Sequence, residues 1–180
     1  MNLILKDLIL INFCRTNFDQ LTLKLKMQKI DIESRLKELG IVIPDMPLPI
    51  ANYVPAKRTG NLVFTAGQVC SLGDKIIKGK LGKEIDIETG KAATRICVIN
   101  CLAAVKQLVG TLNDVNEIIA VHGLINSVPE FTEQAEVMNG ASDFLVEVFG
   151  EHGRHTRTAV GVASLPFDFS ASIYIVVEIG

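Results

Sequence analysis

The stretch Arg154–Pro166, RHTRTAVGVASLP, contains the side chain with the clearest chemical capacity in this sequence. Read as an extended strand, it points Thr158, Val160 and Val162 to one side and Arg157, Ala159, Gly161 and Ala163 to the other. The first set reads as ordinary core. The second is a floor of nearly bare backbone with a guanidinium at its edge. Arg157 does not titrate at any useful pH, so it serves as neither acid nor base. Its planar fork suits bidentate capture of a carboxylate, and each such charged hydrogen bond contributes about 1.5–3 kcal/mol. The competing reading is an arginine at a strand entrance, paired with a structural Asp or Glu. Along the floor, small side chains leave backbone groups of Ala159 and Gly161 accessible to a ligand's nitrogen or to a water.

The other reactive residue types are less organised. His152 and His155 flank Gly153 in a turn; without a third ligand this pair reads as solvated surface histidines rather than a metal site. His122 alternates with Ala120 and Leu124 and reads as a satisfied core or interface histidine. No Ser-His-Asp order or nucleophile elbow stands out, and Ser142 in GAS sits at a helix start, where a serine has ordinary capping reasons. Cys14, Cys70, Cys97 and Cys101 are too few and too irregular for a disulfide framework. Cys97 and Cys101 share one helix face and read as small buried hydrophobes. This usage fits an intracellular, reducing, cytoplasmic setting. The segment GKLGKE lacks the spacing of a phosphate loop. No metal site is expected from these residues.

The elements that must position these residues follow from periodicity. With 48% hydrophobic and 21% charged residues, the 180-residue chain reads as globular. Its formal net charge of −2, with Lys and Arg scattered, lacks the basic stripe of a nucleic-acid groove. Residues 1–26 read as an extension of unknown role, too broken by Lys6 and Asp7 for a membrane span and without the marks of a signal peptide. Met27 reads as the natural start of a single domain over 27–180. Helices are expected around 31–39, 89–109 and 139–149, with a capped helical turn from Ser127 and Glu130. Pro44, Pro47 and Pro49 mark an extended connector. Strands are expected around Tyr53–Val54 and over 61–69, 118–126, 156–164 and 171–179. This order gives an α+β fold, a sheet with two long helices on one face. The last strand, ASIYIVVEI, is apolar on both sides, and another copy of the chain is the simplest cover for its second face, which implies an obligate oligomer.

Three segments resemble the RidA/YjgF family: NYVPAKRTGNLVFTAGQV (52–69), NGASDFLVEVFGEHGRHTRTAVGVASLP (139–166) and the terminal VEI. The match is to the subgroup with the longer helix-to-strand connection and covers about 30–180. The resemblance implies a chorismate-mutase-like α+β fold and a homotrimer with a central barrel and pockets at the subunit boundaries. It implies hydrolysis of 2-imino acids or their enamine tautomers to 2-keto acids and ammonia, without a cofactor. It places the carboxylate-binding arginine at Arg157, a pocket tyrosine at Tyr53 and a pocket asparagine at Asn139. By composition alone, Tyr53 reads equally as a half-buried interface residue, and Asn139 as a helix cap.

The chain also departs from the family. The glutamate of the deaminase members falls on Ser172, a poor base at neutral pH, and Tyr174 replaces a second acid. The family's pocket serine is Ala66, and its frequent cysteine is Ala159. Imine hydrolysis, by a water aimed at a carbon that is already electrophilic, is the first reading of the function. Non-catalytic binding of a small carboxylic acid by a sensor or scaffold is the alternative. RNA cleavage, a frequent family label, ranks third because no basic stripe or paired catalytic histidines accompany it. The expected partners are a small 2-imino or 2-keto acid and other copies of the chain, with no membrane.

Overall fold

In the computed structural model, which describes residues 31–46 and 52–180, the core is a mixed sheet under a layer of helices. The expected extension over 1–26, Cys14 and part of the proline connector lie outside the described residues. Helix α1 (Ile32–Glu38) starts where Asp31 accepts a hydrogen bond from the Ser34 amide at 3.0 Å. Short strands β1 (Ala56–Thr59), β2 (Leu62–Thr65), β3 (Gln68–Val69), β4 (Ser71–Leu72) and β5 (Lys75–Ile76) follow. Helix α2 (Ile87–Val109) is capped by Asp86 and ends at Gly110, whose φ of 91° suits glycine. By length and composition α2 could cross a membrane, yet its most apolar stretch is 67% buried inside the fold, as a core helix is.

Strand β6 (Val115–Asn126) is the longest strand, and a parallel crossover leads from it to β7 (Thr156–Val162) through α3 (Gln134–Val137) and α4 (Asn139–Phe149). The chain closes with β8 (Ala171–Ile179), antiparallel to β6 and β2. The sheet order is β1-β2-β8-β6-β7, with β3 also pairing β8, so β1 and β7 are opposite edges. The register defines two faces. Val63, Val177 and Ile118 form one helix-side row, and Ile175, Val121 and Arg157 the next. Ile173, Gly123 and Ala159, then Ala171, Ile125 and Gly161, complete that side. Ile96, Val105, Phe144 and Phe149 cover it, each such burial contributing about 1.5–3 kcal/mol.

Among the described residues, no helix covers the opposite face. Phe64, Tyr174 and Val160 lie there at 43%, 39% and 41% exposure. Thr158 and Val160 are therefore not ordinary core, as their alternation implies, because they belong to the uncovered face of an edge strand. Other expectations change locally. The strand expected over 61–69 splits at Ala66–Gly67, where the five residues from Phe64 to Gln68 face the four from Val176 to Ile173, a bulge. The strand expected at Tyr53–Val54 begins only at Ala56. At Ser127–Glu130 no helix forms, only a turn closed by the Phe131 amide on the Val128 carbonyl at 3.1 Å; the first helix after β6 is α3.

Two glycines set the height of α4 over the sheet. A Cβ at Gly140 would lie 2.1 Å from the Lys91 carbonyl oxygen of α2, and one at Gly123 would lie 2.1 Å from the Met138 sulfur. The first obstacle is backbone and cannot rotate away. Gly140→Ala should therefore cost about 1–3 kcal/mol of stability by overpacking. Urea unfolding of the variant beside wild type checks this, with a lowered midpoint expected.

Candidate functional site

Met138 settles into the dip left by Gly123 and Ala159, and this brings the first turn of α4 down beside β7. Asn139 and Ser142, three apart on that turn, then face Arg157. Arg157 Nη1 donates to Asn139 Oδ1 at 2.9 Å and to Ser142 Oγ at 3.2 Å. Asn139 in turn donates to Glu136 Oε2 at 2.9 Å, and Glu136 pairs with Lys91 at 2.6 Å. Asn139 thus does not cap its helix; both ends of its amide are committed to other side chains. Among the described residues, no carboxylate lies within 4.0 Å of the Arg157 guanidinium. Its recorded partners are neutral, and its charge remains available to a ligand.

A histidine closes the cluster. Ser142 Oγ lies 3.0 Å from His155 Nε2, and His155 Nδ1 lies 2.6 Å from the Gly153 carbonyl. A carbonyl only accepts, so Nδ1 carries a proton and, in the neutral ring, Nε2 accepts from the serine hydroxyl. His155 is half-buried, which corrects its reading as a solvated surface residue. Burial, and next the nearby Arg157 charge against the bond to Gly153, hold its pKa below the ordinary 6.5. His152 pairs with Glu117 at 3.0 Å and lies outside this network. The spacing of Ser142 and His155 in the sequence hides their meeting, because the helix and the turn that follow α4 fold back on each other.

The remaining expected site residues are dispersed. Ala159 shares the helix-side face of Arg157. Gly161 lies at the far end of that face, against a cavity of about 610 Å3 lined also by Lys80, Ser127, Phe131 and Gln134, and Arg157 is not part of that lining. Ser172 stands on the other face of the sheet, in the row of Leu124 and Val160 and close to Gly67. Tyr174 stacks there on His122, with ring centroids 4.5 Å apart. Tyr53 is 55% exposed and precedes β1, the edge opposite β7. Four strand spacings of about 4.8 Å separate those edges, roughly 19 Å. Cys70, Cys97 and Cys101 are buried in the core, with the Cys97 and Cys101 thiols donating to the Ala171 and Ile173 carbonyls. No group of three potential metal ligands occurs among the described residues.

A mixed sheet with helices packed on one face and an arginine at its β7 edge defines an α+β protein. Residues 33–179 match the family described as "YjgF/chorismate_mutase-like, putative endoribonuclease". The chain belongs to this family, the RidA/YjgF family. It is 36% identical to Protein TCP17 of Trypanosoma cruzi over 82% of this chain and 94% of that protein. It is 44% identical to Atu1372 of Agrobacterium tumefaciens, a protein of unknown function, over 83% of this chain and 94% of that one, with a TM-score of 0.75. Escherichia coli TdcF, solved with bound serine, shares the fold at 24% identity and a TM-score of 0.54, over 74% of this chain and 93% of that one.

The depressed pKa of His155 has a measurable consequence. Between its folded-state pKa and 6.5 the unfolded chain binds more protons than the folded one, so stability rises with pH through that window. This contribution is complete above 6.5 and lost as pH falls through the folded value. His155→Asn should lose less melting temperature than wild type between pH 6.5 and 5.5, measured by scanning calorimetry in matched buffers.

Proposed function

We propose that this protein hydrolyses small 2-imino acids, or their enamine tautomers, to 2-keto acids and ammonia, with Arg157 anchoring the substrate carboxylate. The observation that carries this reading is a guanidinium with no carboxylate partner among the described residues, held by neutral Asn139 and Ser142. Arg157 is exposed, and its guanidinium is oriented by two neutral side-chain acceptors rather than neutralised. The floor expected beyond Arg157 is filled rather than open, with Met138 over Gly123 beside Ala159 and with Ser127 and Gln134 over Gly161, so the open side of the site is the guanidinium itself.

The pocket is shared between copies of the chain in a homotrimer. Two features support this. Phe64, Tyr174 and Val160 leave an apolar face without cover, and Tyr53 and Ser172 are separated from Arg157 within one chain. Tyr53 of a neighbouring copy then closes over Arg157, and Ser172 lines the same boundary. Non-catalytic capture of a small carboxylic acid is the second reading. It is favoured by the position of Ser172, which brings no acid to Arg157. The scattered charge and net −2 give RNA cleavage no comparable support.

An amino-acid oxidase supplies the imine, and semicarbazide traps what escapes hydrolysis. Wild type should lower the trapped fraction and Arg157→Ala should not; equal clearance by both refutes the enzymatic reading. For the anchor itself, 2-ketobutyrate should raise the melting temperature of wild type in proportion to the logarithm of its concentration. Loss of the charged hydrogen bonds in Arg157→Ala should weaken its Kd by about 10- to 100-fold. Arg157→Lys should recover only part of this, because a lysine keeps the charge without the fork.

A further inference from the structure

Imine hydrolysis needs a group that takes a proton from the attacking water and returns one to the departing nitrogen. Among the described residues no carboxylate stands beside Arg157 to do this, yet an ordered chain of hydrogen bonds ends there. Gly153 C=O accepts from His155 Nδ1, His155 Nε2 accepts from Ser142 Oγ, and Ser142 Oγ accepts from Arg157 Nη1. The carbonyl at one end and the guanidinium at the other fix the direction of every bond. A serine next to a histidine that a third group orients is the arrangement that makes a hydroxyl a proton conduit or nucleophile. We propose that Ser142 and His155 form the proton-transfer arm of the Arg157 site, in the role that a glutamate would otherwise fill.

The inference rests on the imine-hydrolase reading and assigns its missing base. Such a role requires that a carboxylate held by the remaining donors of Arg157 be oriented with its iminium carbon toward Ser142, the acceptor on Nη1. Water attacks that carbon, forming the C–O bond while the C=N pair moves to nitrogen. The water's proton passes to Ser142 Oγ as the serine's own proton passes to His155 Nε2. The imidazolium keeps its bond to Gly153 and returns the proton through Ser142 to the amine. The C–N bond then breaks, the hydroxyl proton leaves with the nitrogen, and the sum is iminium carboxylate plus water giving 2-keto acid plus ammonium. Ser142 is the catalytic residue, since it touches the substrate; His155 acts through it.

Several features suit the ring to this task. Burial and the Arg157 charge keep it neutral at pH 7, ready to accept a proton. The neighbouring acids are engaged elsewhere, Glu151 of the preceding turn with Arg154 and Glu117 of β6 with His152, which leaves Arg157 as the charge that acts on it. Sequence reading assigned neither residue, because a helix-start serine and a turn histidine each have an ordinary explanation alone.

The test combines kinetics with binding on the full chain. Wild-type kcat/KM for the imine should fall on the acid side of pH 6.5, and in His155→Gln that acid limb should flatten. Ser142→Ala and His155→Gln should each lower kcat by about 100-fold. The Kd for 2-ketobutyrate should change less than about threefold, because Arg157 and Asn139 remain. Variants that keep wild-type kcat and its acid limb overturn the proposal while leaving the imine-hydrolase reading standing. A loss confined to KM and Kd also overturns it, since the chain then merely holds Arg157. An inert wild type overturns both. Should either variant fold poorly, the wild-type pH profile decides: a flat acid side excludes an imidazole base.

Discussion

The site depends on a positive charge that the protein orients without neutralising. Arg157 stands on an edge strand, where one side of its environment belongs to the sheet and the other to the first turn of α4. An aspartate at either partner position would pair the guanidinium and close the site. Asn139 and Ser142 instead supply oxygen acceptors without charge, which fixes the fork and preserves its attraction for an anion. The cost of ordering the side chain is thereby met before a ligand arrives, the usual advantage of preorganisation.

The fold supplies this arrangement through the β6–α–β7 crossover. Parallel pairing of β6 and β7 requires a helical connection across one face, and that connection carries Asn139 and Ser142 over Arg157. Gly123 and Gly140 let the helix start sit low enough against both sheet and α2 for hydrogen bonds of about 3 Å. The crossover helices α3 and α4 pack with α2 on one face, while Phe64, Val160 and Tyr174 are exposed on the other. The Arg157 cluster on one side and the bare apolar face on the other are thus two features of one topology.

Much of this was legible in the sequence, and what was not has identifiable causes. The 3.6-residue periodicity around Ile96, Cys97 and Cys101, and around Phe144, Leu145 and Val148, marked both long helices because packing on one face imposes it. The alternation in Arg157–Ala163 separated the two sides of β7 correctly. It could not say which side the helices cover, and the valines assigned to core lie on the bare face. Asn139 and Arg157 were singled out, whereas Ser142 and His155 were dismissed. Their contact arises from the fold-back of α4 onto the turn at Gly150–Gly153, which leaves no periodic trace. The split at Ala66–Gly67 is equally silent, since a bulge changes pairing without changing composition.

Ligand placement tests the central claim most directly. In a crystal of the full chain soaked with 2-ketobutyrate, the account predicts the carboxylate on the free edge of the Arg157 guanidinium, with Asn139 and Ser142 still holding Nη1. A carboxylate bound elsewhere, or an Arg157 found paired with an acidic side chain of a neighbouring copy, would contradict it.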